Sequence, residues 1–294
     1  MDKMAMYAFL AGTLSTFLAL IAYVFYAISG VRAARMATAG APMTTGRVGF
    51  VSGPRTASIG HYATLLGWLG FALIGASLVF RAIATGHGPF SNMYEFSIAF
   101  AWGILGAYYW FEHKYHQRML GLLALPVALG MLLYASTIPA DIEPLVPALQ
   151  NNLLLSVHVA TAIVAYGSFT VAFAAAVLYL AQPESGRWGL PKPAILDEIG
   201  YRAIVVGFPF LTLVIVLGAL WADVAWGRYW GWDPKETASL VTWFIYGAYL
   251  HARVMRGWRG RKAAILLIVG FGATLLTYFG NLFFGGLHSY SGLG

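Results

Sequence analysis

An all-α integral membrane protein of about eight transmembrane helices is the fold class this sequence predicts, and three observations predict it. Hydrophobic residues make up 60% of the 294 positions, charged residues only 10%, and mean hydropathy is +0.71. A soluble chain of this length would need far more charge to cover its surface. The apolar residues also fall into runs of about 20 residues, the length that crosses a bilayer as a helix. Finally, the breaks between runs hold the Pro, Gly and charged residues.

Taken in order, the runs predict helices near 5–29, 60–83, 93–111, 118–136, 153–181, 203–221, 235–253 and 263–284. The first is too long for a signal-peptide core and lacks a small-residue cleavage pattern after it, so it reads as a retained span. Between it and the second lies Gly30–Ile59, rich in Gly, Ala, Thr and Arg, the one long linker in the pattern. The chain therefore divides into 1–59, a first helix with a basic linker, and 60–294, a seven-helix unit with a tryptophan-rich loop at 221–236. No internal repeat is visible.

The basic residues orient the bundle. The connections after helices 1, 3, 5 and 7 carry 14 of the 18 Lys and Arg residues; Lys3, Arg81, Arg228 and Lys235 make up the other 4. The positive-inside rule then places both termini on the extracytoplasmic side. It also accounts for the net charge of +7 without nucleic acid. The chain has no cysteine, which excludes disulfides, thiolate metal ligation and thiol–disulfide chemistry by its own residues.

The chemistry concentrates in Trp226–Glu236, WGRYWGWDPKE. Asp233-Pro234-Lys235-Glu236 is a helix start, with Asp as cap, Pro at the first helical position and Glu closing a capping box. The aromatics before it fit a membrane-interface belt poorly, because Trp226, Tyr229, Trp230 and Trp232 fall in one short stretch. Gly227 and Gly231 permit turns that would aim several rings one way. A flat conjugated ligand suits such a platform, and Arg228 and Lys235 suit anionic groups on its rim. A planar dianion with a metal centre is a haem, and its iron needs axial ligands. His158, inside the outer end of helix 5, and His288, beyond helix 8, lie at the level of this loop and are the candidate ligands. Each alone is more often a hydrogen-bonded structural residue; it is the pair beside the loop that favours ligation. His251 lies about 27 Å along helix 7 from Asp233 at 1.5 Å per residue. It reads either as a helix-end residue or as one ligand of a second, inner station. His61, His87, His113 and His116 read as local. Glu95 reads either as a first-turn charge at the N-terminus of helix 3 or as lining the cavity under the loop, and Asp223 as a hydrogen-bonding support of the loop.

Four segments carry a family resemblance: PFSNMYEF (Pro89–Phe96), LVPALQNNLLLSVHV (Leu145–Val159), the stretch Trp226–Arg253, and GLHSYSG (Gly286–Gly292). Over residues 60–294 the sequence resembles the CcsA (ResC) cytochrome c biogenesis proteins, within a wider tryptophan-rich haem-handling superfamily. The resemblance implies haem b as cofactor, with His158 and His288 as outer ligands and His251 as one of two inner ligands. It further implies a CcsB (ResB)-like membrane subunit in the split arrangement, an apocytochrome c with a Cys-x-x-Cys-His motif, and a thiol–disulfide reductase as partners. The implied location is the plasma membrane, or the thylakoid membrane in a plastid or cyanobacterium. The implied activity is haem handling within a cytochrome c synthase (haem lyase) complex. Haem-exporting relatives share the tryptophan loop but continue differently after Trp-Asp. Export to a chaperone is the alternative reading, and a haem-free transporter or assembly factor a third. Leu153 stands where the family often has tryptophan, and residues 1–59 carry no motif.

Overall fold

The computed structural model describes residues 1–39, 53–142, 145–150, 152–183, 185–186, 189–280 and 283–288. Within them the chain forms eight α-helices and two single 3-10 turns, with no strand. The helices are α1 (Asp2–Ala39), α2 (Pro54–Thr85), α3 (Met93–Tyr115), α4 (Gly121–Ser136), α5 (Asn152–Leu180), α6 (Pro193–Trp226), α7 (Pro234–Met255) and α8 (Arg261–Phe279). Six of them are long and apolar enough to cross a membrane; α3 and α7 fall below that threshold. The protein is a multi-pass membrane protein, as composition requires.

Two boundaries differ from the sequence expectation. The expected linker at 30–59 shrinks at both ends, because α1 continues to Ala39 and α2 begins at Pro54. Gly30–Ala39 is mostly Ala, Val, Met and Arg, whose helix propensity outweighs the single Gly and Thr, and Pro54 takes the first-turn position that tolerates it. Residues 40–52, with Arg47, lie outside the described residues, as does Arg187. The second difference is α6, which starts ten residues earlier, at Pro193, and runs on to Trp226. The tryptophan-rich stretch at 221–236 thus begins as the last turns of a helix, and the connection itself runs only from Gly227 to Asp233. Gly227 closes α6 in the left-handed conformation (φ 72°), where a side chain would be strained.

Neighbouring helices run up and down, so the bundle has two end faces. On one, Arg81 at the end of α2 ties three other elements. Its guanidinium donates to Glu95 in the first turn of α3 (2.8 Å), to Asp2 of α1 (3.0 Å) and to the Asp141 carbonyl after α4 (3.1 Å). Glu95, 1% exposed, also accepts from the Ser91 amide and hydroxyl. Asn92 caps the same helix by accepting from the Glu95 amide. Glu95 therefore locks helix ends together rather than lining a cavity. On the opposite face, Glu112 of α3 accepts from Tyr23 and Thr64 (2.5 Å each) and from Tyr108. There too, Arg253 of α7 pairs with Asp197 of α6 (2.7 Å).

Small residues let the two halves of the bundle meet. A Cβ on Gly167 of α5 would sit 2.6 Å from the Gly103 carbonyl oxygen of α3, and one on Gly103 would strike Ile163. The backbones are in contact there, the close approach that small residues permit between membrane helices. This contact brings α5 against α3 and sets the width of the space enclosed beyond it.

Candidate cofactor cavity

A cavity of about 990 Å³, open mouth included, lies toward the Arg81 face between α3, α5, α6, α7 and the segment after α8. Its walls are mainly apolar and aromatic, with Phe96 and Phe100 of α3, Tyr166 of α5 and Tyr278 of α8. The groups that break this apolar lining include His158, His288, Lys235 and Glu236.

His158 occupies the second turn of α5, where its ring faces Gly218 of α6. A Cβ at 218 would come within 2.9 Å of the imidazole Cε1, so glycine makes room for the ring. The imidazole stacks on Trp221 at 6.5 Å between centroids and 16° between planes. Its Nδ1 is buried without a hydrogen bond of ordinary geometry, and the ring has only a looser backbone contact to Val214 of α6.

His288 reaches the same cavity from beyond α8. Its Nδ1 lies 2.7 Å from the Asp233 carboxylate, which also accepts from the Leu287 amide (2.6 Å) and the Lys235 amide (3.1 Å). Trp226 meets the ring edge-on at 4.9 Å, and Trp221 lies 5.8 Å away. Burial pulls the imidazole below its ordinary range, against the opposing pull of Asp233. Burial alone would raise Asp233. The hydrogen bond and charge of His288, with the two backbone donors, outweigh it and hold the carboxyl at about 2. At neutral pH the pair is an ionised carboxylate accepting from the N–H of a neutral imidazole.

Asp233 is thus more than a helix cap. The expected capping box is present: Asp233 accepts at the start of α7, and Glu236 accepts from the Asp233 and Gly231 amides (3.1 and 2.8 Å). The same carboxylate also fixes a histidine 55 residues away.

The remaining candidates divide. Trp230 and Tyr229 line the cavity, with Tyr229 57% exposed at its mouth. Trp226 acts through His288. Trp232 is 69% exposed in a left-handed conformation (φ 56°) and reaches the site only edge-on through Trp230. Arg228 is exposed and lies over Gly231, away from the lining. His251 is exposed at the far end of α7, on the opposite face. Leu153, 78% exposed, forms no part of the wall; Leu155 does. His87 bonds the Gly88 carbonyl through Nδ1 (2.8 Å), a local role as expected. Asp223 contributes its backbone carbonyl to the Gly227 amide.

Trp221 is the first residue of the tryptophan-rich stretch 221–236, yet the sequence alone assigns it no role in the site. It is buried, donates its indole N–H to the Ala148 carbonyl (3.1 Å), and touches His158, His288 and Trp226. It sits among Leu, Ala and Gly in a helix, where a tryptophan reads as packing. The one available signal was its place about one and a half turns before Trp226.

Residues 90–288, which take in α3 to α8 and the cavity but not α1 and α2, match the family described as Cytochrome C assembly protein. The chain belongs to that family. It is 38% identical over 273 residues to the cytochrome c biogenesis protein CcsA of Synechococcus elongatus, covering 74% of this chain and 82% of that relative. It is 35% identical over 263 residues to CcsA of Guillardia theta, covering 80% and 86%. These matches make it a CcsA-type cytochrome c biogenesis protein. The solved structure of the cytochrome c heme lyase CcmF shares the fold, with a TM-score of 0.59 at 20% identity over 92% of this chain. The aligned part is 46% of CcmF, under half of that protein's length.

Proposed function

We propose that this chain is the haem-handling subunit of a membrane cytochrome c synthase and that the cavity holds haem b between His158 and His288. The observation that carries the proposal is the convergence of two imidazoles, from α5 and from the segment after α8, on one apolar cavity. One of them is buried with its Nδ1 short of an ordinary hydrogen bond, and the other is oriented by a carboxylate. The lining fits the group in its aromatic walls and in its two imidazole donors. When bound, haem would supply the vinyl groups that form thioether bonds to the cysteines of an apocytochrome.

The chain's own residues perform the other tasks. Asp233 accepts from Nδ1 of His288, which fixes the ring and the tautomer that ligates through Nε2. Gly218 gives His158 its place, and Trp221 packs against both imidazoles. Trp230 and the exposed Tyr229 flank the mouth, where an incoming apocytochrome would meet the ligand. By the distribution of Lys and Arg, this mouth faces the extracytoplasmic side and both termini lie there. The chain would act by positioning, since it has no cysteine of its own to react. His251, exposed on the opposite face, would offer one ligand to an inner haem, shared with a CcsB-like subunit.

The test is the absorption and EPR spectrum of the chain co-purified with its partner subunit from haem-replete cells. Replacing His158 and His288 together by Ala should abolish the bis-imidazole signature and the covalent cytochrome c yield. Unchanged haem content and yield would overturn the assignment. Haem bound normally, but with no thioether formation on a co-expressed Cys-x-x-Cys-His peptide, would favour export over attachment.

A further inference from the structure

Of the two cations that the sequence matches to anionic groups, Lys235 alone lines the cavity, and its placement is costly. It stands in the first turn of α7, directly after Asp233 and Pro234. The helix dipole disfavours a cation there and favours the acidic residues that normally occupy such positions. Its side chain does not turn away to water but lines the apolar cavity. The ammonium nitrogen lies 5.9 Å from the centre of the Phe96 ring. Among the described residues, no carboxylate lies within the 4.0 Å of an ion pair. The two nearest in sequence are committed elsewhere: Asp233 to His288 and Leu287, Glu236 to the Gly231 and Asp233 amides.

The other cation of this connection, Arg228, is exposed and outside the lining. Among the described lining residues, Lys235 is therefore the one Lys or Arg, at the α3–α7 wall, and Tyr229 is an exposed aromatic edge. The Lys235 ammonium faces an apolar wall beside Phe96, whereas Tyr229 meets solvent.

We propose that Lys235 is the anion-recognition residue of the cavity, binding a carboxylate substituent of the planar ligand and so fixing which edge of the macrocycle is buried. The carboxylate edge enters toward Phe96 and Lys235, and the uncharged edge faces away from that wall. Charge pairing here is worth more than at the surface, because the surrounding wall is apolar. The inference rests on the haem reading of the cavity, and the experiment separates the two.

The purified complex, stripped of haem, is titrated with iron protoporphyrin IX and with its dimethyl ester, following the Soret band. The measurement is made on the unaltered chain, Lys235→Met and Lys235→Arg. The substitution leaves the helix start intact, since Asp233 and Glu236 cap through their own side chains and the backbone amides. The unaltered chain should bind the free acid about tenfold or more tighter than the ester, the scale of a charge-assisted hydrogen bond. Lys235→Met should lose that preference while binding the ester as before and keeping the same bis-imidazole spectrum; Lys235→Arg should restore much of it. An acid-over-ester preference unchanged in Lys235→Met, with haem still ligated, overturns the role of Lys235 and leaves the haem site standing. Failure of either porphyrin to bind the unaltered chain overturns the haem reading itself.

Discussion

Asp233→Asn separates the two duties of that residue. In the native site, one carboxylate oxygen accepts from Leu287, and the other from His288 and the Lys235 amide. Asparagine caps helices about as well as aspartate. With its oxygen toward His288 and Lys235, it preserves the start of α7. Its NH2 group then faces the Leu287 N–H, donor against donor, and the charge on the His288 bond is gone. Leaving one buried donor unsatisfied costs about 1–3 kcal/mol, and replacing a charge-assisted bond by a neutral one costs about 1 more. The segment 283–288 should therefore loosen by roughly 2–4 kcal/mol. Loss of an orienting partner typically lowers metal-site affinity about 10–100-fold. Haem titration followed at the Soret band reads the affinity, and hydrogen exchange at the Leu287 amide reads the loosening. Asp233→Ala should add about 1 kcal/mol of lost capping, seen as a lower melting temperature. If Asp233→Asn exchanges faster at Leu287 yet binds haem with unchanged affinity and spectrum, the carboxylate serves the fold alone and the reasoning about His288 fails.

Acid should loosen the same segment. His288 is held neutral below its ordinary value of 6.5, so the detached state takes up the proton first. Attachment of 283–288 is thus complete above pH 6.5 and weakens as pH falls below it; exchange at Leu287 between pH 7.5 and 5 should show this, and His288→Ala should flatten the dependence. Removing Arg81 (Arg81→Met) leaves Glu95 buried without its cation, and thermal unfolding should show a loss of about 3–5 kcal/mol. Gly218→Ala places a methyl group 2.9 Å from the His158 ring. It should displace that ligand by tenths of an ångström and alter the EPR g-values of bound haem, while the Asp233–His288 exchange signature stays native. His251→Ala should lower the haem content of the complex without altering the spectrum of the cavity haem; normal loading would remove His251 from any inner station.

The sequence made the helices legible because membrane spans announce themselves by length and hydropathy, which need no knowledge of neighbours. It made His158 and His288 legible for a related reason: alternating spans place residues at one level or the other. Direction within that level was not legible. Arg228 and Lys235 look equivalent in the sequence, yet one is exposed and the other lines the cavity, since that depends on how seven connecting residues turn between Gly227 and Asp233. The second duty of Asp233 was hidden behind its capping motif, a complete local explanation that gave no hint of a partner 55 positions away. Trp221 was hidden because indole in an apolar helix matches its surroundings; only the contacts of three separate elements reveal its place. The extra length of α6 was missed at its start because polar Asp197, Glu198 and Arg202 look like loop, whereas Asp197 is paired with Arg253.

The two helices below the threshold for a stand-alone span, α3 and α7, are also the ones whose first turns hold Glu95, Lys235 and Glu236. Weakly hydrophobic segments partition poorly into lipid on their own, so each would enter the bilayer accompanied by neighbours synthesised before and after it. The final wall element, His288, is among the last residues of the match to leave the ribosome. In the proposed site, the second imidazole is thus synthesised after every helix of the wall. A chain interrupted before that point would carry most of the aromatic platform and only one of its two imidazoles.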